Sequence, residues 1–293
     1  MASRAAVLRA LLESKTSILM EAHNGMSAKI VKEAGFAGIW ASGFTMAAAL
    51  GLRDANEASW TQVLNNVELI ADAVGIPVLM DGDTGFGNFN NVRRLVRKLE
   101  QRGIAGVCLE DKSFPKANSF SAARHALVSK EEFSGKLRAA LDNRIDNDFC
   151  IVARTEALIG GTTVTEALDR ADAYREAGAD AVVIHSRRSD AKEVLEFAER
   201  WHRRTPLLAI PTTYPTASID SLYQAGVTTI IWANHTFRGA VAAMQRITRQ
   251  IHTQGSVAAI EGDIASVNDI LDLVDTTELL DAERRYGLAS ESK

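Results

Sequence analysis

Residues 175–185, REAGADAVVIH, carry the pattern that decides the fold: a periodic polar and apolar segment, then a glycine, then a short apolar burst. The same pattern recurs around Gly35, Gly75, Gly103 and Gly226. A glycine is expected where a helix ends, because it adopts a left-handed conformation without a Cβ penalty. The burst is apolar on both faces, which is typical of a strand in a parallel sheet covered by helices.

Eight bursts of this kind occur along the chain, and segments with helical spacing separate them. The bursts are SILMEAH, FAGIWASG, PVLMDGD, IAGVCLED, FCIVARTE, DAVVIHS, PLLAIPTT and TTIIWANH. Eight strands that alternate with helices predict an α/β fold, the (β/α)8 or TIM barrel. A doubly wound open sheet is the competing fold, but the GxGxxG turn after the first strand is missing.

The length of 293 residues fits one such barrel, so we predict a single domain over residues 1–293. Helical segments continue beyond the eighth burst. They predict extra C-terminal helices, a tail over about residues 256–293.

The composition of the chain indicates which partners are excluded and where in the cell the protein is expected. The chain is 46% hydrophobic and 24% charged, with a formal net charge of -4 and a pI of about 5.9. This balance argues against nucleic acid or an anionic membrane as a partner, and no apolar run approaches the roughly 20 residues of a membrane span. Cys108 and Cys150 lie in apolar runs without zinc-site spacing, so we predict buried reduced thiols and a cytoplasmic protein.

Polar side chains follow nearly every predicted strand, at the end where the active sites of such barrels gather. Asp81 and Asp83 end the third strand at positions i and i+2, so both lie on the same side, and Glu110 ends the next strand. Three carboxylates in one concave site repel each other without a cation, and an all-oxygen set suits Mg2+ or Mn2+. The alternative is structural: Asp83 caps a helix and forms hydrogen bonds within its loop, and Asp81 forms a salt bridge.

Basic groups end the fifth and sixth strands. Arg154 can bind a carboxylate or phosphate in a bidentate manner, although an ion pair with Glu156 is the alternative. His185 follows an apolar strand, and the alternative for it is a core histidine.

A long polar segment follows the fourth strand, and it predicts a lid over residues 111–133. Four of its side chains are candidates for anion contacts, namely Lys116, Asn118, Arg124 and Lys130. The alternative is a solvated surface loop.

The chain resembles the isocitrate lyase/phosphoenolpyruvate mutase superfamily over nearly its whole length, and most of all its phosphoenolpyruvate mutase branch. The stretches that carry the resemblance include EAHNGMSAKI, DGDTGFGNFNNVRRLVRKLE, EDKSFPKANS and IVARTEALI. The most specific motif is Glu110-Asp111-Lys112, followed after five residues by Asn118-Ser119. The lyase branch carries a Lys-Lys-Cys-Gly-His loop where residues 114–118 here read FPKAN, so C–C cleavage is disfavoured.

The resemblance implies roles for particular residues. Asp81 would ligate Mg2+, with Asp83 and Glu110 acting mainly through water. The pyruvyl part of the substrate would lie against Trp40, Ser42, Gly43 and Phe44, and further substrate contacts are expected from Ser119 and Asn234. Arg154, His185 and Asn118 would hold the phosphoryl group or carboxylate. Asp54 would meet the phosphorus, and Lys116 and Asn118 would lie on a gating loop.

The resemblance also implies an activity and an assembly. The expected reaction is the Mg2+-dependent interconversion of phosphoenolpyruvate and 3-phosphonopyruvate, a step of phosphonate biosynthesis, in a homotetramer with exchanged C-terminal helices. Phosphonopyruvate hydrolysis is the alternative, and a 2-oxo acid or isocitrate-type C–C lyase is a third enzyme hypothesis. A non-catalytic binding barrel is the hypothesis from a different class, because fold alone does not fix function.

Overall fold

A closed barrel of eight parallel strands forms the centre of the protein, in a computed structural model that describes residues 2–121 and 126–287. Each strand pairs with the next along the chain, and β1 pairs with β8. The strands are β1 (Ser17–Ala22), β2 (Ile39–Ala41), β3 (Val78–Asp81), β4 (Gly106–Glu110), β5 (Cys150–Thr155), β6 (Ala181–Ile184), β7 (Leu207–Ala209) and β8 (Thr229–Trp232). The predicted (β/α)8 barrel is confirmed.

Helices precede, connect and follow the strands. They are α1 (Arg4–Glu13), α2 (Gly25–Glu33), α3 (Gly43–Ala49), α4 (Trp60–Ala73), α5 (Phe89–Glu100), α6 (Lys130–Leu141), α7 (Val164–Glu176), α8 (Lys192–Trp201), α9 (Ile219–Ala225), α10 (His235–Gln254), α11 (Val267–Leu273) and α12 (Thr276–Tyr286). The predicted apolar stripe of α5 is buried at all four positions, Val92, Leu95, Val96 and Leu99. None of the helices in the described residues is long and apolar enough to cross a membrane.

The glycines of the repeated pattern end their helices in the predicted way, with one exception. Gly178 follows α7 with φ +102° and Gly226 follows α9 with φ +123°, in the region that disfavours a Cβ. Gly75 does not adopt a positive φ, because α4 ends through an extended Val74 (φ -139°, ψ 158°). The Ile76-Pro77 step that follows also favours extended backbone.

Apolar side chains fill the interior of the barrel, including Leu19, Leu79, Val152, Val183 and Ile231. Cys108 and Cys150 belong to the same buried cluster and are free thiols, as the apolar runs around them predict. With this interior packed, the polar residues at the carboxyl ends of the strands have to face the upper rim, where the connecting segments arrive.

Contacts between residues divide the chain into two compact units, residues 1–237 and 238–293. The first holds the barrel. The second holds most of α10 together with α11 and α12, and neither α11 nor α12 has a buried residue. The single domain and its tail from about residue 256 stay a prediction, and residues 288–293 of that tail lie outside the described residues.

Candidate active site

A cavity at the carboxyl ends of the strands collects most of the residues predicted for the site. Its free volume is about 40 Å3. Eleven predicted residues line it: Trp40, Ser42, Phe44, Asp54, Asp81, Lys116, Asn118, Ser119, Arg154, His185 and Asn234. Gly43, Asp83 and Glu110 do not line it, but each contacts a residue that does.

The end of β3 meets the start of α3 at Asp81. Its Oδ2 accepts a hydrogen bond from the backbone N–H of Gly43 at 3.1 Å. A Cβ on Gly43 would lie 3.0 Å from Oδ1 of Asp83 and 3.3 Å from Oδ2 of Asp81. The glycine therefore lets the backbone of α3 approach both carboxylates, because a Cβ at this position would crowd them.

Asp83 occupies the left-handed region (φ +49°) in the turn after β3. Its Oδ1 lies 2.6 Å from Nζ of Lys116, and its Oδ2 accepts a hydrogen bond from Nδ2 of Asn56 at 2.9 Å. Burial raises the pKa of Asp83 to about 7, with the nearby charge of Asp81 acting in the same direction and Lys116 opposing it. Asp83 therefore combines a loop-ordering role with membership of the acidic cluster.

Lys116 bridges the two acidic groups of the cavity. Its Nζ lies 2.8 Å from Oδ1 of Asp54 in addition to its contact with Asp83. Burial acts to lower the pKa of Lys116, but the charges of Asp83 and Asp54 outweigh it and hold that pKa well above its ordinary value. Nδ2 of Asn118 donates to Oδ2 of Asp54 at 2.6 Å. Burial acts to raise the pKa of Asp54, yet Lys116 and Asn118 keep it below its ordinary value, so Asp54 is a carboxylate.

Glu110 ends β4 between two cations. Nε of Arg154 lies 3.6 Å from Oε2, and Nζ of Lys112 lies 3.8 Å from Oε1. Oε1 is buried and has no hydrogen-bond partner among the described residues. Burial raises the pKa of Glu110.

The three carboxylates Asp81, Asp83 and Glu110 suit a hard cation that keeps part of its water. Asp81, Asp83 and Glu110 supply oxygen atoms only, and the buried Oε1 of Glu110 lacks a donor. Within the described residues, no group of three or more His, Cys, Asp or Glu side chains is arranged to hold a metal ion. The arrangement therefore suits a partly hydrated ion with few direct protein ligands.

Arg154 and His185 form a buried pair on the neighbouring strands. Nη2 of Arg154 lies 2.7 Å from Nδ1 of His185, and both side chains contact Oε1 of Glu156. The ion pair that was the structural alternative for Arg154 is thus present, while Arg154 also lines the cavity. Burial and the charge of Arg154 lower the pKa of His185, so its imidazole is neutral.

The segment after β4 lies over the site with several of its polar side chains buried. Lys112 is 2% exposed, Lys116 is 7% exposed and Ser119 is 5% exposed, so this part is not a solvated loop. Lys130 does not reach the cavity: it begins α6 and pairs with Asp169 at the surface. Arg124 lies outside the described residues.

Two residues that contact the site were not predicted from the sequence, Asn56 and Phe120. Asn56 bridges the site by donating to Asp83 and by accepting the N–H of Lys116 at 2.7 Å. It sits at φ +56° in an irregular segment, where no periodic pattern marks it. Phe120 packs edge-on against His185, with 5.6 Å between ring centroids.

Comparisons with known proteins identify the family of the chain. A family model described as phosphoenolpyruvate phosphomutase matches residues 8–252. The phosphoenolpyruvate phosphomutase of Tetrahymena pyriformis is 49% identical over 281 residues, 95% of this chain and 94% of that protein. The structure of phosphoenolpyruvate phosphomutase from Streptomyces platensis subsp. rosaceus has a TM-score of 0.94 at 43% identity, covering 96% of this chain and 99% of that one. Phosphonopyruvate hydrolase in complex with oxalate and Mg++ has a TM-score of 0.92 at 39% identity, covering 97% of this chain and 99% of that one.

Proposed function

Because the chain belongs to the phosphoenolpyruvate phosphomutase family, we propose that it is an isomerase that interconverts phosphoenolpyruvate and 3-phosphonopyruvate. The observation that carries this proposal is the placement of Asp54 in one cavity with Arg154 and His185. Asp54 is kept ionised by Lys116 and oriented by Asn118, so a carboxylate is ready beside two groups suited to phosphoryl oxygens. The reaction serves phosphonate biosynthesis.

The reaction moves phosphorus from carbon to oxygen within one substrate. In 3-phosphonopyruvate the P–C bond breaks and its electron pair becomes that of the pyruvate enolate. The enolate oxygen then forms the P–O bond of phosphoenolpyruvate, so no water is consumed. The carboxylate of Asp54 contacts the phosphorus after the P–C bond breaks and before the P–O bond forms. Arg154, His185 and Asn118 hold the three phosphoryl oxygens, over which the negative charge is spread.

Other residues position the pyruvyl part. The backbone N–H of Phe44 and the hydroxyl of Ser42 receive its oxygens at the start of α3, where Gly43 adds no side chain, and Trp40 shapes the wall of the cavity. Ser119 and Asn234 provide further substrate contacts. The segment over residues 112–121 keeps water from the phosphoryl group, because it covers the site with buried side chains.

Asp81 is the residue that would ligate Mg2+ directly, with Asp83 and Glu110 holding its water ligands, and Mn2+ suits the same oxygen set. The bound cation would stabilise the negative charge of the enolate oxygen. The hydrogen bond from Gly43 to Oδ2 of Asp81 fixes the carboxylate for this role.

The remaining features concern partners and location. A net charge of -4 argues against nucleic acid or an anionic membrane as a partner, and the two free thiols suit the cytoplasm. Helices α11 and α12 have no buried residue but carry exposed Val267, Leu279 and Leu280. Such apolar faces support a homotetramer in which C-terminal helices are exchanged.

Phosphorus NMR of 3-phosphonopyruvate with the enzyme and Mg2+ tests the proposed function. The expected product is phosphoenolpyruvate, with little free phosphate. Formation of pyruvate and phosphate from the first turnovers, without phosphoenolpyruvate, would show that the enzyme is a hydrolase and not a mutase. Absence of turnover with any phosphonate or 2-oxo acid would favour a binding protein.

A further inference from the structure

Glu156 is a fully buried carboxylate directly after β5, and four polar side chains converge on it. Its Oε1 lies 2.5 Å from Nε of Arg154 and 2.9 Å from Nδ1 of His185. Its Oε2 lies 2.7 Å from Oγ of Ser119 and 2.8 Å from Nζ of Lys112. Oε1 thus contacts Arg154 and His185, and Oε2 contacts two side chains of the segment that covers the site.

We propose that Glu156 is a positioning residue that orders the Arg154–His185 pair and residues 112–121 as one unit. The effect of Glu156 on catalysis rests on the proposed function. Its ordering of the pair and of residues 112–121 does not. Glu156 does not line the cavity, so it acts through the residues that do.

The chemistry of the group supports this role. Burial acts to raise the pKa of Glu156, but the nearby Arg154, His185 and Lys112 hold it well below its ordinary value. The ionised carboxylate accepts hydrogen bonds at both oxygens. A glutamine amide has one accepting oxygen and one donating nitrogen, so it can serve only one of the two sides. The charge and the two-sided geometry are therefore both required.

The backbone of Glu156 is itself fixed. Its N–H donates to Oδ1 of Asp111 at 2.8 Å, and Asp111 is fully buried. On the covering segment, Nζ of Lys112 also donates to the carbonyl of Ala117 at 3.1 Å and to Oγ of Ser119 at 2.5 Å. The carboxylate thus joins two elements that are each held by further contacts, which is what a positioning residue requires.

Glu156→Gln tests the proposal, with amide hydrogen exchange of residues 112–121 measured in the absence of substrate. We expect exchange in this segment to become at least tenfold faster. With substrate and Mg2+, kcat should fall at least 100-fold while KM changes less than tenfold, because orientation and not only binding is lost. Exchange within twofold of wild type, or kcat within threefold, would overturn the proposal.

Asp180→Asn is the matched control. Asp180 is a carboxylate that contacts Arg9, Arg144 and the N–H of Ile151, before the start of β6 at the opposite end of the barrel. This variant loses a charge of the same kind, yet the exchange of residues 112–121 should stay as in wild type. Faster exchange there in both variants would mean general destabilisation and would also overturn the proposal.

Ser119→Ala provides a second route if Glu156→Gln does not fold. It removes the contact to Oε2, together with the bonds that Lys112 and Arg154 donate to the same hydroxyl, while the carboxylate and its bond to Nε of Arg154 remain. Exchange in residues 112–121 should rise at least threefold without substrate, and an unchanged rate would overturn the proposal. Because these measurements need no substrate, they decide about Glu156 even if wild type turns over neither phosphonopyruvate nor phosphoenolpyruvate.

Discussion

At the scale of single residues, two buried cations of the cavity are each shared by two carboxylates. Lys116 stands between Asp54 and Asp83, and Arg154 stands between Glu110 and Glu156. Removing one member of a buried pair leaves the other charge without compensation, which is strongly destabilising. Substitutions that keep the charge but change the geometry are therefore the sharper tests of function.

Arg154→Lys keeps the positive charge but loses the planar fork, so it is not conservative here. We expect kcat/KM to fall at least tenfold, equivalent to about 1.4 kcal/mol of transition-state binding. Steady-state kinetics with phosphonopyruvate measures it, and Arg102→Lys, whose arginine pairs with Glu68 near the surface, is the control. An unchanged value for Arg154→Lys would assign Arg154 to the structural pair with Glu156 alone.

Asn118 separates isomerisation from hydrolysis. Its amide donates to Asp54 and adds neither charge nor base. Asn118→Ala should lose most mutase turnover. Asn118→Asp should lose it and raise the ratio of free phosphate to phosphoenolpyruvate, because a carboxylate repels phosphoryl oxygens and can activate water. Phosphorus NMR of both products gives this ratio, and an unchanged ratio in Asn118→Asp contradicts the assignment.

Asp83 gives the stability of the metal-free protein a pH dependence. Its pKa is about 7 in the folded chain and about 3.9 in an unfolded one. The folded state binds the proton more tightly, so this carboxyl makes the free energy of unfolding fall as pH rises from about 4 to about 7. Urea unfolding in EDTA should show that the free energy of unfolding falls between pH 5 and pH 7, with at most about 2 kcal/mol of the fall coming from this group. Asp83→Asn should lack that contribution, and an identical pH dependence in both proteins would contradict it.

At the scale of elements, α7 is tied to the end of β4 by a buried network. The hydroxyl of Tyr174 donates to Oδ2 of Asp111 at 2.6 Å, and Nη1 of Arg170 lies 3.3 Å from the same oxygen. Nη1 of Arg170 also donates to the carbonyl of Val128, where the chain returns toward α6. These contacts fix both ends of the β4–α6 connection to one helix.

Tyr174→Phe removes one hydrogen bond of this network without changing the shape of the core. We expect it to lower the free energy of unfolding by about 1.5–3 kcal/mol, because the acceptor is a buried carboxylate. Urea unfolding measures the loss. Tyr223→Phe, which removes a bond to the carbonyl of Ser17 from a half-buried hydroxyl, should cost less. Equal losses would show that the hydrogen bond to Asp111 stabilises the fold no more than an ordinary hydrogen bond to a carbonyl group.

The elements also show what a sequence can reveal and what it cannot. All eight strands were predictable because strands buried on both faces read as continuous apolar runs, and the rim residues followed from the topology. Asn56 and the central position of Glu156 were not predictable. Asn56 reaches the site from an irregular segment 27 residues from Asp83, and Glu156 reads from the sequence only as a partner of Arg154. Contacts between loops depend on folded geometry and leave no periodic pattern.

At the scale of the whole molecule, the second unit carries several large apolar side chains that are exposed. Ile270 and Leu271 on α11 are 42% and 41% exposed, and Leu279 and Leu280 on α12 are 54% and 47% exposed. Contiguous exposed apolar side chains mark sites of association. The proposed homotetramer gives these faces a partner.

Leu271→Glu combined with Leu280→Glu should weaken that assembly, because each places a charge in an apolar interface. Light scattering coupled to size-exclusion chromatography should show a tetramer for wild type and smaller species for the variant. Ile145→Glu, at a position 75% exposed in the barrel unit, is the control and should leave the mass unchanged. A wild-type monomer would contradict the proposed assembly.

The pairing of β1 with β8 has a consequence for biosynthesis. Ser17 and Thr229 are register partners although 212 residues separate them, so the ring cannot close until nearly all of the barrel has left the ribosome. Until then the nascent chain displays two open strand edges, those of β1 and of the last strand made. Open edges pair readily with other chains, so slow synthesis of the final quarter should increase the need for chaperones.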